Sequence, residues 1–305
     1  MVNFAQIGFF GGLSFYDSLI VGVAERAKLD FVSSYGYALG YLGGGLLFAV
    51  NVWMVLQPQF FGFDDATHAA RFAFLTVAGW WTLFTIPILL FVPEPGGPPA
   101  LAFGPAVRAG IVQLKATVAK VQGLRPVWIF LLAYWFYIDG VDTIIRMAVD
   151  YGLSIGFKST DLIIALLIVQ FVAFPAAVAF GYLGERFGTK RSIYLGLVVY
   201  AAITLGATLM HEVREFYLMA AVIGLVQGGV QALSRSFYAR LIPAAESGEF
   251  FGFYNMLGKF AAVIGPALMG LVTLWFGNPR IGILSILVLF VVGGVLLYYV
   301  EEPAR

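Results

Sequence analysis

The sequence predicts an all-α polytopic membrane protein, and three observations predict it. The 305 residues are 61% hydrophobic and only 11% charged, with a mean hydropathy of +0.90, whereas soluble domains carry roughly 25% charged residues. The apolar residues fall in continuous runs of about the 20 residues that a helix needs to cross a hydrocarbon core. These runs lack the period-two alternation of a membrane strand, which sets a β-barrel aside. One water-solvated core cannot shelter this much apolar surface, so the solvent is lipid.

Nine spans are expected, near 2–23, 36–56, 72–92, 127–149, 161–183, 192–210, 216–240, 250–275 and 281–300. The first carries Asp17 inside its apolar run and no basic leader, so it does not read as a cleavable signal peptide. The second repeats glycine at 36, 40 and 44, a pattern of close helix packing. The eighth contains Gly265-Pro266 and Gly270, which bend a helix. Short polar segments such as Glu25 to Asp30, Gly184 to Arg191 and Pro243 to Glu249 separate the runs.

Residues 93–126 differ. They open with Pro93, Pro95, Gly96, Gly97, Pro98 and Pro99, then carry Arg108, Lys115, Lys120 and Arg125, with Glu94 the only acid. The segment reads as a hinge between two bundles, dividing the chain into 1–92, 93–126 and 127–305. Within it Val107, Ile111, Leu114, Val118 and Val121 recur at helical spacing, which fits either an interfacial helix on an anionic leaflet or a solvated linker.

With the hinge in the cytoplasm, that side receives Arg26, Lys28, Arg108, Lys115, Lys120, Arg125, Arg186, Lys190, Arg191, Arg235, Arg240 and Arg305. The other receives Arg71, Lys158, Arg214 and Arg280. This bias satisfies the positive-inside rule and places the C-terminus in the cytoplasm.

Several function classes are excluded. There is no cysteine, and both histidines, His68 and His211, fall in predicted loops, so neither a thiol nucleophile nor a metal or other cofactor is expected. The formal net charge of +1 is spread along the chain, which argues against a nucleic-acid partner. An embedded hydrolase lacks its nucleophile–base pair, and no G-x-G-D signature occurs. The expected partners are lipid, a small solute and protons.

Ionisable groups at membrane depth face a bundle interior or an aqueous cavity. On the span 127–149, Trp135, Asp139, Asp142 and Arg146 share one helix face. Asp142 and Arg146 are spaced to pair. Asp139 is either a reversibly protonated group or a hydrogen-bonded structural aspartate beside Gly140. Lys259, one turn after Asn255, is positioned to bind a solute carboxylate, to balance Asp139, or to snorkel outward. Gln227 and Gln231 share a face with Ser234, and Gln170 lies at mid-depth on another span; these amides suit a polar solute or pairing between helices.

The segment Gly181-Tyr182-Leu183-Gly184-Glu185-Arg186-Phe187-Gly188-Thr189-Lys190-Arg191 resembles the major facilitator loop signature G-x-L-[AG]-[DE]-R-x-G-x-[KR]-[KR]. Its glycines permit a tight turn, and its acid and bases can lock one conformation. Together with Phe31-Val32-Ser33-Ser34-Tyr35-Gly36, Asp139-Gly140-Val141, Val226-Gln227-Gly228-Gly229 through Ser236, and Phe250-Phe251-Gly252-Phe253-Tyr254-Asn255, it resembles the vacuole-effluxer-like branch of that superfamily. The resemblance implies twelve helices in two halves. This chain would lack the first three, leaving a partial N-terminal half of three spans and a complete C-terminal half of six. It further implies a secondary transporter of a small solute, such as an amino acid, in a bacterial inner membrane; the competing reading is a non-transporting scaffold or remnant.

Overall fold

The computed structural model describes residues 2–93 and 102–302. Glu94 to Leu101, which include most of the Pro-Gly opening of the hinge, and the basic Arg305 lie outside the described residues.

The described chain is helical throughout: α1 (Val2–Val23), α2 (Leu29–Leu56), α3 (Ala66–Phe91), α4 (Phe103–Gly123), α5 (Arg125–Ser154), α6 (Ser159–Phe187), α7 (Thr189–Ala207), α8 (Val213–Leu241), α9 (Ser247–Ala261), α10 (Ile264–Phe276), α11 (Pro279–Leu284) and α12 (Leu287–Tyr298). Seven helical segments among the described residues are long and apolar enough to cross a membrane. The other two expected spans are α1, apolar over Gly8–Val23, and α7, which spends its first turn on Lys190 and Arg191.

Local chemistry sets the boundaries. The Asp65 carboxylate accepts the His68 backbone N–H at 2.8 Å and starts α3. Gly188 has φ +106°, a conformation costly for a side chain, and turns the chain from α6 into α7. The expected single span at 250–275 is two helices, α9 and α10. Pro266 supplies no N–H, and its ring cannot sit against the Ala262 carbonyl of a continuous helix. The last span is also divided, and there the chain tightens through three-residue hydrogen bonds such as Ser285 N–H to Gly282 O at 3.1 Å.

The core is built mainly by α5 to α12, with α8 against α6 and α7, and α5 against α9 and α12. Helix α2 packs along α6 and α8, α1 lies on α9, and α3 packs mainly on α2, with its Trp81 ring 5.1 Å from the Phe9 ring of α1. Because lipid competes equally for apolar side chains, these contacts depend on close approach rather than on escape from water. Gly229 of α8 shows it: the Phe180 ring of α6 occupies the space a Cβ would need. In the 36–40–44 series, Gly36 sits beside Tyr16 and Arg235 and Gly44 beside Gln170, whereas Gly40 meets nothing.

Helix alternation gathers α4, the α1–α2 turn, the α6–α7 turn, the α8–α9 turn and the end of α12 at one end, termed here the hinge end. Arg26 Nη2 to Arg240 O (2.9 Å), Lys120 Nζ to Glu246 Oε2 (2.7 Å) and Lys190 Nζ to Val300 O (2.7 Å) tie these pieces together. The far end is joined by Tyr151 Oη to Ala207 O (2.6 Å) and Arg280 Nη2 to Met210 O (2.8 Å).

Gly229→Ala is expected to lower stability in detergent by about 1–3 kcal/mol through overpacking against Phe180. Gly79→Ala, in open space on α3, should be neutral or stabilising by up to about 1 kcal/mol. Thermal unfolding of the two variants side by side checks the opposite signs.

Candidate functional site

Two buried ion pairs join α8 to α1 and α2. Nearest the hinge end, Asp30 of α2 is 0% exposed and accepts from Arg240 Nη1 at 2.9 Å, from Thr189 Oγ1 at 2.7 Å and from the Ser236 hydroxyl. Arg240 also donates from Nη1 to Thr189 Oγ1 at 2.9 Å, and Thr189 N–H reaches Glu302 Oε1 at 2.9 Å. One turn deeper, Asp17 of α1 accepts from Arg235 Nη1 at 2.9 Å and from Asn255 Nδ2 at 3.0 Å. Arg235 spends its remaining donors on Ser33, Nε to Oγ at 2.9 Å and Nη2 to the carbonyl at 3.0 Å, and its guanidinium lies 4.8 Å from the Tyr37 ring centroid. Each cation thus meets a carboxylate and further hydrogen-bond partners, the condition under which burial of charge is tolerated.

The signature loop contributes to this lock through its small residues and through Thr189. A Cβ on Gly184 would lie 3.2 Å from the Asp30 side chain, and one on Gly181 would lie 2.9 Å from Ser34 Cβ; glycine here is what lets α2 reach α6. Gly188 makes the turn already described. Lys190 caps the end of α12 through Tyr298 O and Val300 O at 2.8 and 2.7 Å. Arg186 and Arg191 are exposed, and Glu185 is half-buried.

A second group lies deeper. Tyr41 of α2 accepts from Gln227 Nε2 at 3.0 Å and donates to Gln231 Oε1 at 3.1 Å, so both amides pair between helices. Gln170 packs on Gly44 and Gly45 of α2. Asp142 faces the charges of Lys259 and Arg146, and Lys259 Nζ stands 4.4 Å from the Phe10 ring centroid. The buried Tyr200 hydroxyl faces Tyr41 and Asp142 and has no hydrogen-bond partner among the described residues.

Asp139 stands apart from these cations. It is 1% exposed, and its two carboxylate oxygens accept the Gly265 N–H at 3.1 and 2.9 Å, with the Thr143 hydroxyl 3.4 Å away. Gly265 is in the first turn of α10. The carboxylate therefore caps the second half of the broken span from a neighbouring helix, where the helix dipole favours negative charge.

Four expectations are corrected. Asp142 and Arg146 do not come within ion-pair distance; Arg146 is exposed, and Asp142 is influenced more by the charge of Lys259 than by that of Arg146. Lys259 does not balance Asp139; it faces Asp142 and, more weakly, Asp17. Arg235 and Arg240, counted above among the basic residues of one membrane face, are 5% and 3% exposed and belong to the interior. Asp30, placed in a polar separator, begins a membrane helix. The signal for these residues was present, since Asp17, Arg235 and Arg240 all sit inside apolar runs; a count of charges per side cannot distinguish a loop cation from one buried at a helix end.

Removing either member of the Asp17–Arg235 pair strands a buried charge, so Asp17→Asn and Arg235→Gln should each destabilise by about 3–5 kcal/mol. The double variant should lose clearly less than the sum of the two. Additive losses in a double-mutant cycle of unfolding in detergent would contradict the pairing.

The model of the family described as "Vacuole effluxer Atg22 like" matches residues 23–304. The uncharacterized MFS-type transporter YxiO of Bacillus subtilis (strain 168) is 37% identical over 98% of this chain and 69% of its own length. Autophagy-related protein 22 of Coccidioides immitis (strain RS) is 27% identical over 95% of this chain and 51% of its own length. The chain thus spans about two thirds of the bacterial relative and about half of the fungal one. The crystal structure of the human organic anion transporter MFSD10 superposes with a TM-score of 0.66 at 17% identity, covering 93% of this chain and 67% of that one. With the signature loop, the helical fold and these matches together, the chain belongs to the vacuole effluxer Atg22-like family of major-facilitator-type membrane transporters.

Proposed function

We propose that the protein is a secondary active transporter that moves a small carboxylate-bearing solute, in the first instance an amino acid, by alternating access coupled to protons. The observation that carries the reading is the set of charges at membrane depth left outside the two buried ion pairs. Asp142 on α5 and Lys259 on α9 offer both signs across a helix–helix contact, with Arg146 and the Tyr200 hydroxyl nearby. A zwitterion matches this pattern, its ammonium group toward Asp142 and its carboxylate toward Lys259. Asn255, one turn from Lys259, links the same helix to the Asp17–Arg235 pair.

The locks between α8 and the α1–α2 segment supply the gate in this reading. They hold the hinge end closed, and exchanging them for contacts at the far end opens the pathway to the other side. The basic excess at the hinge end supports a cytoplasmic location for that end and for the C-terminus, in the reading of a bacterial inner-membrane protein. Asp139 supplies the proton site. A protonated Asp139 loses the negative charge that favours the start of α10, so its titration acts on the α9–α10 break. MFSD10 is named as an organic anion transporter, and an amino acid shares the carboxylate of that class although it is neutral overall.

Proteoliposomes tested with a panel of radiolabelled amino acids under an imposed pH gradient check the proposal. Lys259→Gln should weaken solute binding by roughly tenfold or more, the loss of one charge-assisted hydrogen bond. Asp139→Asn should abolish the response to the pH gradient while leaving solute exchange largely intact. Unchanged affinity in the first variant, or unchanged pH dependence in the second, removes that residue from its role; absence of flux for every carboxylate solute removes the reading.

A further inference from the structure

Helix α4 presents two different faces. On one, Thr117 and Val121 are buried against the bundle. Gln113 Nε2 donates to Glu249 Oε1 at 2.6 Å, Thr117 Oγ1 to Glu249 Oε2 at 2.8 Å, and Lys120 Nζ to Glu246 Oε2 at 2.7 Å. Glu246 is the N-cap of α9 and Glu249 lies in its first turn. Helix α4 therefore clamps the hinge end of the helix that carries Asn255 and Lys259.

Beside this face runs a ridge of exposed apolar side chains, Val107, Ile111 and Leu114. Arg108 and Lys115, both exposed, stand one turn before and one turn after Ile111 and border the ridge. No Asp or Glu occurs between Ala102 and Arg125, and the two carboxylates that approach α4 from α9 are already engaged. An apolar ridge edged by cations that have no ion-pair partner among the described residues, on a helix that leads directly into a membrane span at Arg125, matches the boundary between headgroups and acyl chains of an anionic leaflet. There the stems of Arg and Lys follow the apolar surface while their charged ends reach lipid phosphates.

We infer that α4 is an anionic-lipid-binding strap: Val107, Ile111 and Leu114 seat in the acyl boundary, Arg108 and Lys115 hold lipid phosphates, and the adjoining face, clamped to the start of α9, transmits that seating to α9. The seating stands apart from the transport reading; only an effect of lipid charge on flux rests on it.

The chain has no cysteine, so a single Ile111→Cys in the full chain can carry a nitroxide label, with Ala116→Cys on the other side of α4 as the reference. Collision with oxygen against a water-soluble nickel chelate reports depth in vesicles of phosphatidylcholine, with or without phosphatidylglycerol. With phosphatidylglycerol the Ile111 label should be oxygen-favoured and the Ala116 label chelate-accessible. Arg108→Gln together with Lys115→Gln should reduce the seated fraction about fivefold per cation, and high salt should act in the same direction. An Ile111 label as chelate-accessible as Ala116 in anionic vesicles overturns the inference. So does a label equally deep in neutral and anionic vesicles, or one shielded from both reagents, which would indicate a protein partner. None of these readouts requires flux, so failure of the transport reading leaves them interpretable.

Discussion

Two arginines near the end of α8 cannot remain at membrane depth without carboxylates, and the carboxylates that meet them come from α1 and α2. An isolated buried guanidinium costs several kcal/mol, so Asp17 and Asp30 do more than add stability: they determine which helices α8 must lie against. The remaining contacts at the hinge end follow from this requirement. For α2 to bring Asp30 to Arg240 it must press against α6, and only glycine at 181 and 184 leaves room for it. Thr189 then reaches the same carboxylate because Gly188 turns the chain at that point.

Much of the fold was legible because lipid imposes a coarse rule, that apolar length becomes a helix. All nine expected runs are helical, and the amphipathic spacing at Val107 to Val121 appears as α4. The break in the eighth run was marked by Gly265-Pro266. The division of the last run had no such mark, since its i→i−3 hydrogen bonds need no special residue. At the candidate site, Gln227, Gln231, Asn255 and Lys259 were legible as polar groups on membrane helices, but their partners were not. A partner is a fact of tertiary arrangement: Tyr41 is 186 residues from Gln227 and Asp17 is 238 from Asn255, and no spacing rule reaches that far. Asp17 and Arg235 also carried a signal, a charge inside an apolar run that demands a partner, but counting charges by side put Arg235 with the loop cations.

Helix α9 draws these features together. At the hinge end its first turn is clamped by α4, at mid-length Asn255 contacts the Asp17–Arg235 pair and Lys259 faces Asp142, and just past its other end Asp139 caps the start of α10. Contacts that position the helix and the polar groups of the proposed solute site therefore meet on one rigid element, and a change in charge near Lys259 is never far from a contact that positions the helix. Side chains at mid-length are placed by supports at both ends rather than by packing alone.

The lock between α2 and α8 is also incompletely satisfied. Arg240 Nη2 and Ser34 Oγ are buried without a hydrogen-bond partner among the described residues, and each such orphan forfeits about 1–3 kcal/mol. A latch whose every donor and acceptor was matched would sit at the bottom of a deep well and release slowly. These unmatched atoms make the well shallower, and under the proposed alternating access a smaller difference in ligand affinity between the two states would then suffice to reverse their populations.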